Sequence, residues 1–232
     1  MNQPDLTKLP SDIALPDLSV QEFLNALAAR TPAPGGGSMT ALTAALAAAQ
    51  LRMVIAYTRG KPKFSVFEHI LEDYDARLAR AGEILCELMQ EDKAAYEALN
   101  PFMKMPLAQR HADPRYSAVV AAAIGIPRAV GVAAANIIEA AEILRDKVNQ
   151  MLISDLGVAA GTAMAAVESA EFNVLVNLPL LEDAAAARSI VLSLIELRQK
   201  SRQQYRHISE TLLKNLSAAF SHATGASALF QP

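Results

Sequence analysis

Apolar side chains recur at steps of three and four residues along most of this chain, which is the spacing of one face of an α-helix. No stretch alternates apolar and polar positions as a half-buried strand does, and no segment repeats along the chain. The longest stripe lies within residues 65–100, and Asp92 stands among its last members. This periodicity predicts an all-α fold. The apolar members of the stripe are Leu71, Tyr74, Leu78, Ala81, Leu85, Leu88, Ala95 and Leu99.

Capping residues, prolines and glycines mark where the first helices begin and end. Ser19 and Glu22 form a capping box, which predicts a helix over residues 19–30. Residues 31–38 (Thr-Pro-Ala-Pro-Gly-Gly-Gly-Ser) interrupt the pattern, and Ser38 is the predicted N-cap of an almost wholly apolar second helix. That helix is expected to end near Gly60, a residue suited to the position just past a helix end.

The limits of the later helices depend on prolines. Pro101 and Pro106 are expected to bound a loop after the long helix. Pro114 and Pro127 are each expected to begin a helix, the second of which runs to about Gln150. The last two predicted helices run from residue 154 or 155 to the segment 173–179, and over residues 182–219.

A single domain accounts for this pattern. Residues 19–222 are expected to form a bundle of long and short helices, after an irregular segment (1–18) and before a loose tail (223–232). The apolar helices exceed what a monomer can bury, which predicts a homodimer. The 232 residues are 52% hydrophobic and 19% charged with a net charge of −3, so no nucleic-acid partner is expected.

The cellular location is predicted from cysteine usage and from the N-terminal sequence. Cys86 is the single cysteine, which excludes an internal disulfide and fits a reducing compartment. The first residues lack the basic start and apolar run of a signal peptide. The apolar run after Ser38 is judged too short and too weakly hydrophobic to span a bilayer. A cytoplasmic protein without a membrane partner is therefore expected.

Asp92 occupies the position that most strongly suggests chemistry. A carboxyl on a buried stripe must be paired, hydrogen-bonded or neutral, and burial raises its pKa toward the range of a general acid or base. A stripe also drifts around its helix, so the pattern equally allows Asp92 to be a solvated edge residue. The four histidines and Cys86 are too dispersed in sequence for a metal site, and none is predicted.

Two loops are candidate ligand contacts. Three consecutive glycines, Gly35, Gly36 and Gly37, suit a positive φ or a close approach to a ligand at a helix start, although a plain helix connection also fits. Residues 60–64 (Gly-Lys-Pro-Lys-Phe) form a basic loop, which is either a hydrated turn or a clamp for an anionic ligand.

These segments occur in the same order in a known family. From Ser19 to about Arg202 the chain resembles the cyclodeaminase domain of formiminotransferase-cyclodeaminase and the stand-alone bacterial methenyltetrahydrofolate cyclohydrolases. The segments that carry the resemblance are Ala33–Ser38, Met53-Val54 with Thr58, Gly60-Lys61 with Phe64, Asp92–Tyr96, Ser154-Asp155 and Phe172–Leu178.

The resemblance implies a helical dimer that binds a folate near the subunit interface, without a metal or redox cofactor. It implies hydrolysis of 5,10-methenyltetrahydrofolate to 10-formyltetrahydrofolate, which the absence of a formiminotransferase segment favours. The alternatives are cyclisation of 5-formiminotetrahydrofolate with release of ammonia, and a non-catalytic folate-binding relative. The implied catalytic residues are Asp92 and Lys61, and the implied substrate-binding residues are Pro34, Gly35, Gly36, Gly37, Ser38, Lys63, Asp155, Asn173 and Asn177.

The chain departs from the family pattern at positions close to these segments. Arg52 stands where a small residue is usual, Ala56 where an asparagine is common, and Pro62 where a second consecutive basic residue is usual. Ala94 stands where a glutamate is usual. These departures leave the choice among the three functions open.

Overall fold

A computed structural model describes residues 13–224, which form α-helices joined by short turns and contain no strand. The all-α prediction is therefore confirmed. The loose tail predicted for residues 223–232 begins too early, since α7 runs to Thr224, and its remainder lies outside the described residues. Residues 1–12 of the irregular segment predicted for 1–18 also lie outside them. The helices are α1 (Val20–Ala28), α2 (Gly36–Ala56), α3 (Glu68–Met103), α4 (Leu107–Ala112), α5 (Tyr116–Leu144), α6 (Ile153–Leu175) and α7 (Ala184–Thr224), with 3-10 turns at Leu15–Asp17, Pro62–Phe67, Gln150–Leu152 and Leu178–Leu180.

The first two helices begin in different ways. The capping box of α1 is present, since the Ser19 amide donates to Glu22 Oε2 at 2.8 Å and the Glu22 amide donates to Ser19 Oγ at 3.3 Å. Helix α2 begins at Gly36, with Gly35 as an N-cap that offers no side-chain hydrogen bond. The prediction of Ser38 as N-cap is therefore wrong. Ser38 lies inside the first turn of α2, where its hydroxyl is buried and serves another helix.

Two prolines lie within helices, contrary to prediction. Pro101 is in the last turn of α3, which continues to Met103 through part of the predicted loop. Pro127 is inside α5, so one long helix replaces the two that were expected. A proline at position 127 has no N–H to donate to the carbonyl of Ala123. The Asn177 side-chain amide donates to that carbonyl instead, at 3.1 Å, and so compensates for the lost helical hydrogen bond.

Helix α2 lies at the centre of the bundle, where it packs against α3, α5 and α6. Leu51 and Ile55 of α2 are fully buried, as are Leu71 and Leu85 of the predicted α3 stripe. Alanines on α2 are also buried, and their small side chains let the neighbouring helices approach closely. Helix α7 covers α5 and α6 and is tied to them at its polar edge, for example by Lys200 and Glu139 at 2.7 Å.

Within residues 13–224, one side of α2 is apolar and only partly covered. Met39 and Leu46 are 49% and 58% exposed, whereas Met53, seven residues further along, packs against the core of its own chain. By length and composition alone, three helical segments could cross a membrane, with mean hydropathies of 1.5, 1.9 and 1.3 for 36–56, 116–144 and 150–180. The judgement that the run after Ser38 is too short is therefore wrong, since α2 has 21 residues.

The central position of α2 predicts a large effect of shortening its buried side chains. Leu51→Ala is expected to lower the free energy of unfolding by about 2–5 kcal/mol, because Leu51 has no exposed surface and its loss leaves a cavity. Leu24→Ala is the matched control, since Leu24 of α1 is 53% exposed and its truncation should change stability by about 0.5 kcal/mol or less. Urea denaturation of both variants measures the difference. Equal losses would contradict the central position of α2.

Candidate active site

A cavity of about 420 Å³ lies where the start of α2 meets α3, α5 and the end of α6. Its wall includes Gly35, Gly36 and Gly37 from the loop and first turn of α2, and Asp92 from α3. Asn173 and Asn177 complete the polar part of the wall, and apolar side chains such as Leu99 and Pro127 form the rest. Six predicted site residues, from three segments that lie far apart in the sequence, therefore meet in the wall of this cavity.

Asp92 points from α3 toward the first turn of α2. The Ser38 hydroxyl donates to Asp92 Oδ2 at 2.9 Å, and the Ser38 backbone N–H also donates to this carboxylate. That N–H is one of the groups left without a helical partner at the start of α2, and Gly35 has no side chain to bind it. Asp92 therefore caps α2 from a neighbouring helix and is not a solvated edge residue.

The pKa of Asp92 is raised above its ordinary value of 3.8. The largest cause is burial, which penalises the charged form, and the two hydrogen bonds from Ser38 oppose it by favouring that form. A half-buried carboxyl with a raised pKa and a free approach from a cavity suits general acid or base chemistry.

Gly36 and Gly37 are explained by close approach rather than by backbone conformation, whereas nothing lies within 4 Å of a Cβ atom built on Gly35. A Cβ atom on Gly37 would lie 1.9 Å from Asp92 Oδ1, and one on Gly36 would lie 3.1 Å from Asn173 Oδ1. Gly35 has an ordinary φ of −129°. Within residues 13–224 the only glycine with a positive φ is Gly60, at 72°, in the turn that follows α2 as predicted. The absent side chains thus leave the space that the Asp92 and Asn173 side chains occupy.

The two asparagines of the cavity hold its walls together. Asn173 Nδ2 donates to Thr40 Oγ1 at 3.1 Å, and the Thr40 hydroxyl in turn donates to the Gly36 carbonyl at 2.6 Å. Asn177 Nδ2 donates to the carbonyls of Ala123 and Asn173, at 3.1 and 3.0 Å. The amide nitrogens are thus used within the protein, and the side-chain oxygens are what the two residues can offer to N–H groups of a ligand.

Three other predicted site residues lie elsewhere in the chain. Lys61 and Lys63 are exposed beyond the opposite end of α2, whose 21 residues separate them from the glycines by about 30 Å. Lys63 Nζ lies 5.5 Å from the centre of the Phe64 ring. Asp155 lies at the start of α6, where its Oδ1 accepts from Gln50 Nε2 at 2.9 Å. Within one chain, none of the three lines the cavity.

The remaining predicted residues adjoin the cavity without lining it. Pro34 is buried next to Gly35, after a cis peptide bond from Ala33. Ser38 is buried behind Asp92 and contacts it rather than the open space. Tyr96 was not among the predicted site residues, although it is a half-exposed residue of the wall that lies one helical turn after Asp92. The four-residue spacing from Asp92 is the signal that identifies it.

A second cavity, of about 680 Å³, lies between α3 and α5 and is larger. None of the predicted site residues lines it, and its Arg77 is paired with Asp73 at 2.8 Å. Convergent polar groups around a titratable residue identify a site better than volume does, so the smaller cavity is the candidate active site. No group of three His, Cys, Asp or Glu side chains within residues 13–224 is arranged to hold a metal ion.

Comparison with known proteins identifies relatives over most of the chain. Residues 19–194 match the family described as formiminotransferase-cyclodeaminase. The methenyltetrahydrofolate cyclohydrolase of Methylorubrum extorquens is 30% identical over 201 residues, which cover 84% of this chain and 95% of that protein. The formimidoyltransferase-cyclodeaminase of Gallus gallus is 30% identical over 200 residues, or 76% of this chain but only 37% of that protein.

A solved structure has the same fold. The crystal structure of formiminotetrahydrofolate cyclodeaminase from Thermotoga maritima superposes with a TM-score of 0.81 and 25% sequence identity. The superposition covers 87% of this chain and 99% of that chain. The helical bundle described above is therefore shared nearly in full.

The contact between Gly37 and Asp92 predicts that a single methyl group disturbs the site. Gly37→Ala is expected to displace the Asp92 carboxylate and break its bonds to Ser38, and so to lower the free energy of unfolding by about 1–3 kcal/mol. Gly82→Ala on α3 is the matched control, because nothing lies within 4 Å of its added Cβ. That control should stabilise the helix by about 0.5–1 kcal/mol. Stabilisation by both substitutions would refute the contact.

Proposed function

The chain belongs to the formiminotransferase-cyclodeaminase family, and from this premise we propose that it hydrolyses 5,10-methenyltetrahydrofolate to 10-formyltetrahydrofolate. The observation that carries the proposal is Asp92, the one carboxyl that residues 13–224 contribute to the cavity wall, with its raised pKa and its fixed orientation. A methenyltetrahydrofolate cyclohydrolase is 30% identical over 84% of this chain, whereas the cyclodeaminase of known structure is 25% identical, which favours hydrolysis over the related reactions.

Asp92 has the chemistry that this reaction needs. The methenyl carbon between N5 and N10 is cationic, and the ionised carboxylate takes one proton from a water molecule as its oxygen adds to that carbon. The protonated Asp92 then gives this proton to N5 while the bond from N5 to the carbon breaks and the hydroxyl proton leaves to solvent. The products are the N10-formyl group and one released proton, and no further cofactor takes part.

The polar wall suits a folate ring. The side-chain oxygens of Asn173 and Asn177 are acceptors, and a reduced pterin presents several N–H donors along one edge. Gly35 and Gly36 leave backbone accessible beside them. A ring held in this way would bring its reactive carbon toward Asp92.

We propose that the protein works as a homodimer in the cytoplasm and that the second copy covers the apolar face of α2. A helix that is apolar on all sides is normally buried on all sides, and Met39 and Leu46 lie on the side of α2 that the described part of its own chain leaves open. A twofold axis perpendicular to α2 would place the end of one copy beside the start of the other. Lys61 of the partner subunit would then approach the cavity that its own chain does not reach.

Cyclodeamination of 5-formiminotetrahydrofolate is the second candidate, because the relatives include proteins named for it. Both reactions pass through a tetrahedral carbon, and the same carboxyl could protonate the departing ammonia. The two candidates are separated by assaying purified protein on both folates. Faster loss of the methenyl absorbance than in buffer supports hydrolysis, and ammonia release from the formimino compound supports the second.

Asp92→Asn tests the catalytic role because it keeps the size and polarity of the side chain and removes only its ionisation. Turnover is expected to fall by roughly 10²–10⁴, the range for one general acid or base, while folate affinity is retained. Turnover within a factor of about three of the unaltered protein would exclude Asp92 as the principal acid or base.

The same substitution has a predicted effect on stability that depends on pH. Because the folded-state pKa of Asp92 is raised, ionisation costs more in the folded than in the unfolded chain, and stability falls as the pH rises from 3.8 through that pKa. Asp92→Asn should therefore raise the free energy of unfolding at neutral pH. The gain should vanish below pH 3.8, where the carboxyl is protonated in both states.

Complementation tests the shared site. Asp92→Asn and Lys61→Ala should each be nearly inactive alone, whereas co-refolded mixtures should recover about a quarter of full activity, since half of the dimers are mixed and each has one intact site. Co-refolded Asp92→Asn with itself is the control. Light scattering without detergent should give twice the chain mass of 24.8 kDa. A monomer, or mixtures without recovery, would exclude the composite site.

A further inference from the structure

Ser38 binds the Asp92 carboxylate through two separate donors. Its side chain is completely buried, and its hydroxyl lies 2.9 Å from Asp92 Oδ2. The same hydroxyl lies 3.2 Å from the backbone carbonyl of Met89, one turn earlier on α3. A hydroxyl has one hydrogen and accepts through its lone pairs, so it can donate to only one of these two oxygens at a time. The structure therefore offers the Ser38 hydrogen two alternative acceptors.

The part of the chain that the structure describes places no second charged group in the cavity with Asp92. Within the described residues, α2, α5 and α6 contribute no charged side chain to its wall, and Tyr96 is the one other titratable group there. Glu91 and Lys93 flank Asp92 on α3, but adjacent residues point about 100° apart around a helix. The hydrogen bonds from Ser38 are thus what opposes the cost of burying the ionised carboxylate.

We propose that Ser38 is a positioning residue that serves Asp92 in both of its protonation states. While the carboxylate is ionised, the Ser38 hydroxyl donates to Oδ2 and fixes the orientation of the group. When resting Asp92 carries a proton on Oδ2, that O–H donates to Ser38 Oγ, and the Ser38 hydrogen turns to the Met89 carbonyl. A proton taken from water during turnover is carried instead by the other carboxyl oxygen, Oδ1, while the Ser38 hydroxyl continues to donate to Oδ2. The serine keeps its own proton throughout, and no buried polar atom loses its partner.

The hydrogen bond from Ser38 shifts the pKa of Asp92 in one direction. A hydrogen bond to a charged acceptor is stronger than one to its neutral form, so Ser38 favours ionised Asp92 and lowers the pKa from the value that burial alone would set. A general base must be ionised when the water molecule arrives. Ser38 therefore favours the form of Asp92 that acts as a base, in a cavity whose burial of the carboxyl favours the protonated form. The consequence for turnover rests on the proposed function, whereas the consequence for the titration of Asp92 does not.

Ser38→Ala removes the hydroxyl and leaves the backbone donor. The titration midpoint of Asp92, followed by carbon NMR of the carboxyl and assigned with Asp92→Asn, should rise by about one to two pH units. The rising limb of kcat/KM against pH should move upward by the same amount, since the base is active only above its pKa. Ser201→Ala is the matched control, because Ser201 is equally buried but lies on α7 away from the cavity, and it should move neither measurement.

The two readouts separate this inference from the proposed function. An upward shift of the Asp92 midpoint in a protein without turnover on either folate supports the role of Ser38 and rejects the function. An unchanged midpoint in Ser38→Ala overturns the inference even if the enzyme is active. If Ser38→Ala does not fold, Ser38→Cys keeps a similar volume with a weak S–H donor. It should give a smaller upward shift, and no shift there also overturns the inference.

Discussion

The site depends on one contact, in which the Asp92 carboxylate lies against the first turn of α2. The contact caps a helix whose own N-cap, Gly35, has no side chain, and it brings a carboxylate to the positive end of the helix dipole. It is possible only because position 37 has no Cβ atom, since such an atom would lie 1.9 Å from Asp92 Oδ1. The glycines, Ser38 and Asp92 are thus parts of one arrangement, although 54 residues separate Ser38 from Asp92.

The free-energy cost of ionising Asp92 at this contact is consistent with a catalytic role. Burial raises the pKa of Asp92, and the hydrogen bonds from Ser38 offset only part of the effect. A chain selected for stability alone would gain by placing a neutral side chain at this position. An acid whose ionisation is costly in the folded chain suits a group that must both accept and release a proton near neutral pH.

The asparagines support the same contact from the other side. Asn173 is linked through Thr40 to the carbonyl of Gly36, and Asn177 binds the carbonyl that Pro127 leaves without a helical donor. These residues were predicted to bind substrate, and their side-chain oxygens remain suited to that. Their amide nitrogens, however, hold α2, α5 and α6 in register around the cavity. The side chains that are proposed to bind the ligand are thereby the ones that hold the wall rigid.

The sequence by itself was sufficient to predict the features that depend on residues close to one another along the chain. Periodicity predicted the all-α fold, and the box of Ser19 and Glu22 predicted the start of α1. The stripe left open whether Asp92 is buried or a solvated edge residue, and the glycine run allowed a close approach or a plain connection. The family resemblance added the expected chemistry, although Lys61 and Asp155 lie far from the cavity of their own chain.

Only the tertiary structure decided the features that depend on partners distant in sequence. Pro127 continues a helix because Asn177, 50 residues later, supplies the missing donor, and local rules for proline cannot anticipate that compensation. Ser38 resembles an N-cap in sequence, but its hydroxyl serves Asp92 on another helix. The glycines likewise reveal what approaches them only once the Asp92 and Asn173 side chains are in place. Periodicity reports which face of a helix is buried, whereas the identity of the group packed against that face is set by the assembled bundle.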